Sequence, residues 1–267
     1  MVRASSLNVS GIAEARPDRV VVRGEDLCRD LIGKVGFTEY FLILLLGRRP
    51  TPAMTRMVDA TLVSIAEHGL VPSVQAARMT LSAAPAALQG AVAAGLLGCG
   101  DVILGAAETA GRLLAEIVAG VDVGRPLERE VADRLSAMRR GRAQLPGFGH
   151  PLHKPEDPRA WRLIEIAREL GVAGRHVEAL IAVHGALKES YGRALPLNVS
   201  GSIAATLLDA GFPLEALKGI PLVARAAGLV AHLLEEHTRP IGFRLAAAAA
   251  AAIAYDGPEP ALSAGSL

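Results

Sequence analysis

From about Thr38 to Ala252 the chain is a succession of apolar segments at helical spacing, cut by proline and glycine, and no convincing stretch alternates as a strand would. That pattern restricts the fold to helix packed on helix. Thr38 caps Glu39 to Leu46, which ends at Gly47. Thr51-Pro52 is a cap followed by proline at the first helical position, opening a run to about Glu67 in which Met54, Met57, Val58, Leu62 and Ile65 recur at helical spacing. Further helices are predicted over 25–32, 73–83, 86–97, 103–118, 126–140, 158–170, 173–191, 201–210, 222–236 and 243–252. Val20-Val21-Val22 is the best strand candidate and is very short. The expected organisation is all-α: a larger helical domain from 1–145 and 198–267, and a smaller one from 146–197.

Composition narrows the class. Hydrophobic residues make up 51% of the 267 but aromatic ones only 3%, so much of the apolar content is alanine and the helices should pack closely, with some apolar surface used for self-association. Lys plus Arg is 28 against 27 for Asp plus Glu, which gives no general pull toward nucleic acid or a membrane surface. Any anion binding must be local. Cys28 and Cys99 are too few for a disulfide framework and ill-spaced for a metal, so a reduced, cytoplasmic setting is expected. No secretion signal is read in Met1 to Arg16. The charge-free stretch from Met79 to Gly100 is interrupted by Pro85, Gly90, Gly95 and Gly98 and reads as buried helices.

One loop concentrates chemistry. Gly147-Phe148-Gly149-His150-Pro151-Leu152-His153-Lys154-Pro155-Glu156-Asp157-Pro158-Arg159 holds two imidazoles, two cations and three prolines. Its glycines let backbone approach a ligand and its prolines lower the entropy cost of fixing the cations. A metal at His150 and His153 lacks a carboxylate or third histidine at ligand spacing in the sequence, so none is expected; a carboxylate-binding or oxyanion-polarising role fits better. Arg159 sits just inside a helix start, where a bidentate fork suits a carboxylate, although composition alone would make it a surface arginine. Arg225 lies within the apolar run 222–230, where a charge needs a carboxylate partner from protein or ligand. Arg239 follows the same helix, and His68 ends another, where a helix cap is its plainer role.

These residues converge on a resemblance. The loop resembles the Gly-x-Gly-His signature of the citrate synthase superfamily, followed by its Asp-Pro-Arg. In the same order, 66–69 looks like that family's Asp-His-Glu or Asp-His-Gly segment, 98–108 like its glycine-rich helix entry, Asn198-Val199-Ser200-Gly201 like its Asn-Val-Asp-Gly, and 224–228 like its Ser-Arg-Ala-x-Gly. The short length and Gly100-Asp101 look most similar to the citryl-CoA lyase type, including the lyase module of ATP citrate lyase. The resemblance implies a homodimer whose large and small domains close over an acyl-CoA and a carboxylic acid. It implies that His68 and His150 hydrogen-bond a hydroxyl or carbonyl oxygen, that Arg159, Arg225 and Arg239 clamp carboxylates, with Arg239 reaching from the other subunit, and that Lys154 contacts a phosphate of coenzyme A.

Two positions depart from the family. Its base aspartate is Ser200 here, and a serine hydroxyl is no effective base near neutral pH unless activated. Its enolate-stabilising histidine falls at Ile103, a loss that the lyase type often shares. Asp101 or Glu108 could take over the base role, though Asp101 also suits a helix N-cap. The expected function is citryl-CoA lyase-like: carbon-carbon bond cleavage or formation between an acyl-CoA and a 2-oxo acid, with a coenzyme A thioester as substrate. The alternatives are a binding or regulatory homologue without turnover, and a CoA-independent lyase or decarboxylase acting on a tricarboxylate.

Overall fold

The computed structural model describes residues 9–100, 105–192 and 194–258. Its helices are α1 (Phe37–Leu46), α2 (Pro52–Ile65), α3 (Pro72–Ala83), α4 (Leu88–Leu97), α5 (Ala106–Asp122), α6 (Leu127–Arg140), α7 (Pro158–Glu169), α8 (Arg175–Tyr191), α9 (Val199–Asp209), α10 (Gly219–Thr238) and α11 (Gly242–Ala252). Most of the punctuation read from the sequence acts as expected, but Thr38 is not a cap: α1 begins at Phe37 after Gly36, and the Thr38 hydroxyl inside the first turn donates to the Asp59 carboxylate. Thr51 accepts the Met54 amide at 3.1 Å ahead of Pro52, and Gly47 closes α1 in the left-handed conformation at φ 69°.

The expected lack of strands is corrected near the N-terminus. Ala13–Ala15, Val20–Val22 and Glu25–Asp26 form a small antiparallel sheet, β1 to β3 in order, with Val22 opposite Glu25. Arg23 and Gly24 turn the second hairpin with φ of 51° and 87°, a pair of positive values that suits strand twist. Arg23 is held there because its Nε and Nη2 donate to the Leu44 carbonyl of α1 and its Nη1 to that of Gly11. The helix expected over 25–32 gives way to β3 and a π-helical turn, Leu27–Leu31, capped by the Asp26 carboxylate. Strands of two or three residues are too short to show a period.

Packing divides the chain into two compact units, 1–66 with 101–224 and 67–100 with 225–267. The domain boundaries expected from the sequence therefore fall elsewhere: in the first unit α7 and α8 of segment 146–197 pack on α9, and α8 also packs on α6. The core of that unit gathers Met57, Ile117, Leu163, Leu180, Ala204 and Leu207 around the almost wholly buried α9. Gly111 of α5 matters there, since a Cβ would lie 2.5 Å from Leu217. The second unit packs α3 on α4 and α11, with Val74, Ala77, Leu81, Ala91, Leu229 and Leu233 at its core. Gly95 lets α4 approach, because a Cβ would meet Leu229 at 2.7 Å. Segment 214–238 is long and apolar enough to cross a bilayer, yet Leu229 and Leu233 are buried in this core. The apolar stretch 79–100 is broken around Pro85 into α3 and α4, while Gly90 and Gly95 lie inside α4 and Gly98 ends it.

Candidate active site

In the first unit the His150 loop is fastened to the start of α9 by backbone. Gly149 donates to the Pro196 carbonyl at 2.7 Å, Asn198 donates to that of Gly147 at 3.0 Å, and Phe148 bridges to Leu197. The approach needs glycine on both sides. A Cβ on Gly147 would lie 2.9 Å from the Gly201 Cα, and one on Gly201 would lie 2.9 Å from the Gly147 oxygen. Gly147 also has φ 85°, which disfavours any side chain. Gly147→Ala should therefore destabilise the protein by about 3 kcal/mol. Gly149→Ala, at φ 83° with open space around its Cβ, should cost only about 1 kcal/mol. Denaturant titration of both variants checks this; equal losses would remove the steric argument.

Asn198, part of the Asn-Val-Ser-Gly motif, acts as a clamp. Its Oδ1 accepts the Ser200 amide at 3.1 Å and the Gly201 amide at 3.3 Å, capping α9, while its Nδ2 donates to the Gly149 carbonyl at 2.8 Å. One side chain thus fixes the backbone on either side of the candidate site, next to His150 and at Ser200. His150 itself is half-buried. Its Nδ1 accepts the amides of Leu152 at 3.1 Å and His153 at 2.9 Å, so the neutral ring carries its proton on Nε2. The His153 ring lies against it at 4.4 Å between centroids.

Asp157 is wholly buried and caps α7. Its Oδ1 accepts from the Arg159 amide and Nε, and its Oδ2 from Arg159 Nη2 at 2.9 Å and from the Val199 amide at 3.1 Å. The Arg159 fork expected to hold a ligand carboxylate is thus turned along one edge onto its own neighbour, leaving the Nη1 end without a protein acceptor among the described residues. Burial pushes the Asp157 carboxyl up, but the Arg159 guanidinium and the amides of Val199 and Arg159 together hold it below its ordinary 3.8. A lowered folded value means stabilisation that is full above 3.8, declines as pH falls below it and is gone beneath the folded value. Asp157→Asn should cost about 2 kcal/mol at pH 7, and the gap to the parent should close in acid. Unfolding curves at pH 7 and pH 3 test the sign; a gap that widens in acid would contradict it.

Ser200 occupies the first turn of α9, half-buried, and its hydroxyl makes no hydrogen bond among the described residues. Among the described residues none is bonded to it as a base. Glu108, a candidate replacement base on α5, pairs with Arg112 at 2.7 Å. Asp101 and Ile103 lie outside the described residues. Lys154 is exposed.

The remaining candidates belong to the second unit. His68 sits in the turn where Gly69 has φ 72°, its amide accepted by the Glu67 carboxylate at 2.9 Å. Arg239 is exposed, with Glu235 3.9 Å away. Arg225 is 7% exposed, and among the described residues its Nε and Nη1 have no hydrogen-bond partner. Among the described residues no other buried guanidinium nitrogen is orphaned in this way. The sequence reading missed Arg78, Glu236 and His232, which the same unit joins in one polar network.

The mainly helical architecture is citrate synthase-like. The family model described as citrate synthase, C-terminal domain, matches residues 21–244, and the chain belongs to that family. It superposes on citryl-CoA lyase from Hydrogenobacter thermophilus with a TM-score of 0.84 at 34% identity, covering 96% of this chain and 97% of that one. ATP citrate lyase from Methanothrix soehngenii, solved with citrate and coenzyme A, shares the fold at a TM-score of 0.73 and 23% identity, over 97% of this chain and 43% of that one. The citrate synthase of Haloferax volcanii is 32% identical over 202 residues, 74% of this chain and 50% of the relative. The chain spans about half the length of such curated relatives. It is a citrate synthase superfamily member close to citryl-CoA lyase.

Proposed function

We propose that the protein is a citryl-CoA lyase-like enzyme that cleaves or forms a carbon-carbon bond between an acyl-CoA and a 2-oxo acid. The single observation that carries this is Arg225: a buried guanidinium with two orphaned nitrogens is costly unless a polyanionic ligand completes it. In cleavage the ligand's hydroxyl proton passes to water and the O–H electron pair becomes the second bond of the oxo acid's carbonyl. The carbon-carbon pair passes to the acyl-CoA as an enolate, which takes up a proton. His150, with its proton on Nε2, is the donor for the oxygen that carries developing charge. His68 would share that oxygen. Arg225, with Arg159 and Arg239, would orient the carboxylates, and Lys154 would contact the coenzyme A. The proton step is the weak link because Ser200 replaces the family's base.

That same unactivated hydroxyl favours a second reading, a homologue that binds a citrate-like ligand without turning it over. Incubation with citryl-CoA, with release of oxaloacetate and acetyl-CoA followed in time, separates the two. Product at a rate proportional to protein supports the lyase. Citrate binding without product supports the binding homologue, and neither would remove both. A homodimer belongs to the same proposal, supported by large exposed apolar side chains such as Leu97, Leu234 and Phe243. The cytoplasmic setting is likewise proposed, from the cysteine usage alone.

A further inference from the structure

A chain of charged and polar groups in the second unit ends on two of the segments proposed to hold the ligand. Arg78 of α3 is 2% exposed and uses its guanidinium in four directions. Nε donates to Glu236 at 2.5 Å, Nη1 to Glu235 at 2.8 Å, and Nη2 to the backbone carbonyl of Arg239 at 3.0 Å. Nη1 also lies 3.3 Å from His232 Nδ1. An arginine nitrogen can only donate, so that ring nitrogen must accept and the imidazole proton sits on Nε2. There it meets Glu67 Oε2 at 2.9 Å. The other oxygen of Glu67 accepts the amides of His68 at 2.9 Å and Gly69 at 2.5 Å.

We propose that His232 is a positioning residue for the His68 turn, and that Arg78 is the common anchor from which both that turn and the Arg239 segment are held. The neutral imidazole is suited to this link because it presents an acceptor to a cation on one side and a donor to a carboxylate on the other. A methyl-bearing side chain at 232 supplies neither. Glu67 would then face water with one oxygen unmatched and hold the two amides less firmly. Glu236 anchors the opposite end separately, through Ser82 Oγ and the amides of Ile241 and Gly242. The two halves of the network can therefore be read apart. Its bearing on ligand affinity rests on the proposed role of His68 and Arg239 at the carboxylate site.

The test compares His232→Leu, His232→Gln and the parent by amide hydrogen exchange and by citrate calorimetry. In His232→Leu the His68 and Gly69 amides should exchange about tenfold faster, with Ile241 and Gly242 unchanged, the size expected for one charge-assisted hydrogen bond. His232→Gln keeps a donor and an acceptor and should return both amides toward the parent rate. Unchanged exchange at His68 and Gly69 in His232→Leu, or equal acceleration at all four amides, overturns the positioning role. Where the parent binds citrate, His232→Leu should weaken it about tenfold; altered exchange with parental affinity would sever the network from the ligand. Failure of the parent to bind citrate strikes the functional reading alone, since the exchange comparison still decides what His232 does.

Discussion

Replacing Arg225 by methionine should make the unliganded protein more stable by about 1 to 3 kcal/mol while abolishing its affinity for citrate. The two effects have one origin. A guanidinium at 7% exposure has lost most of its hydration, and its Nε and Nη1 gain no hydrogen bond in return among the described residues. Methionine of similar volume removes that penalty and fills the same space between Ala224 and Ala226 of α10. Ordinary core substitutions lose stability, so a gain coupled to loss of binding is a specific signature. Unfolding with and without citrate measures both terms: the parent should be stabilised by citrate and the variant should not. A variant less stable than the parent that still responds to citrate would mean that Arg225 has a structural role in the protein alone.

Ser200→Asp should raise citryl-CoA cleavage by about 100-fold or more, the range over which a positioned acid or base acts. The site is prepared for a carboxylate in two ways. It lies in the first turn of α9, where the helix dipole favours negative charge. The nearby amides are already taken, those of Ser200 and Gly201 by Asn198 and that of Val199 by Asp157. A new carboxylate would therefore not be tied up as a cap, and its oxygens would stay available for a proton. Asp157 adds little repulsion because Arg159 neutralises it with bonds of 2.9 Å from Nε and Nη2. Steady-state turnover of parent and variant decides the matter. A parent already fast, with the aspartate variant slower, would show that this protein has built its proton transfer on another group.

The helices were legible in the sequence because their ends carry chemistry that acts locally. Thr51-Pro52 and Asp157-Pro158 start α2 and α7 as capping residues, and Gly47 ends α1. The His150 loop was legible as a rigid feature, since glycine and proline restrict backbone whatever surrounds them. What stayed hidden depends on partners far along the chain or on very short elements. The sheet at 13–26 consists of strands too brief for a period, stabilised by Arg23 reaching the end of α1. The unit boundaries depend on α3 packing with α11 and on Arg78 meeting Glu236 across 158 residues, and no local pattern encodes such a pairing. Arg159 shows a subtler limit. Its motif suggested a fork for a ligand, while the aspartate two residues earlier engages two of its side-chain nitrogens. Asn198 was visible as the start of a motif, but not as the cap of α9 or as the clamp on Gly149 that ties the two halves of the site together.

The central claim is that a polycarboxylate completes the buried charge of Arg225. Calorimetric titration of citrate into the parent and into Arg225→Met tests it most directly. The account predicts saturable binding by the parent, at one site per chain, and none by the variant. Absence of binding to the parent, or equal binding by both proteins, would contradict it.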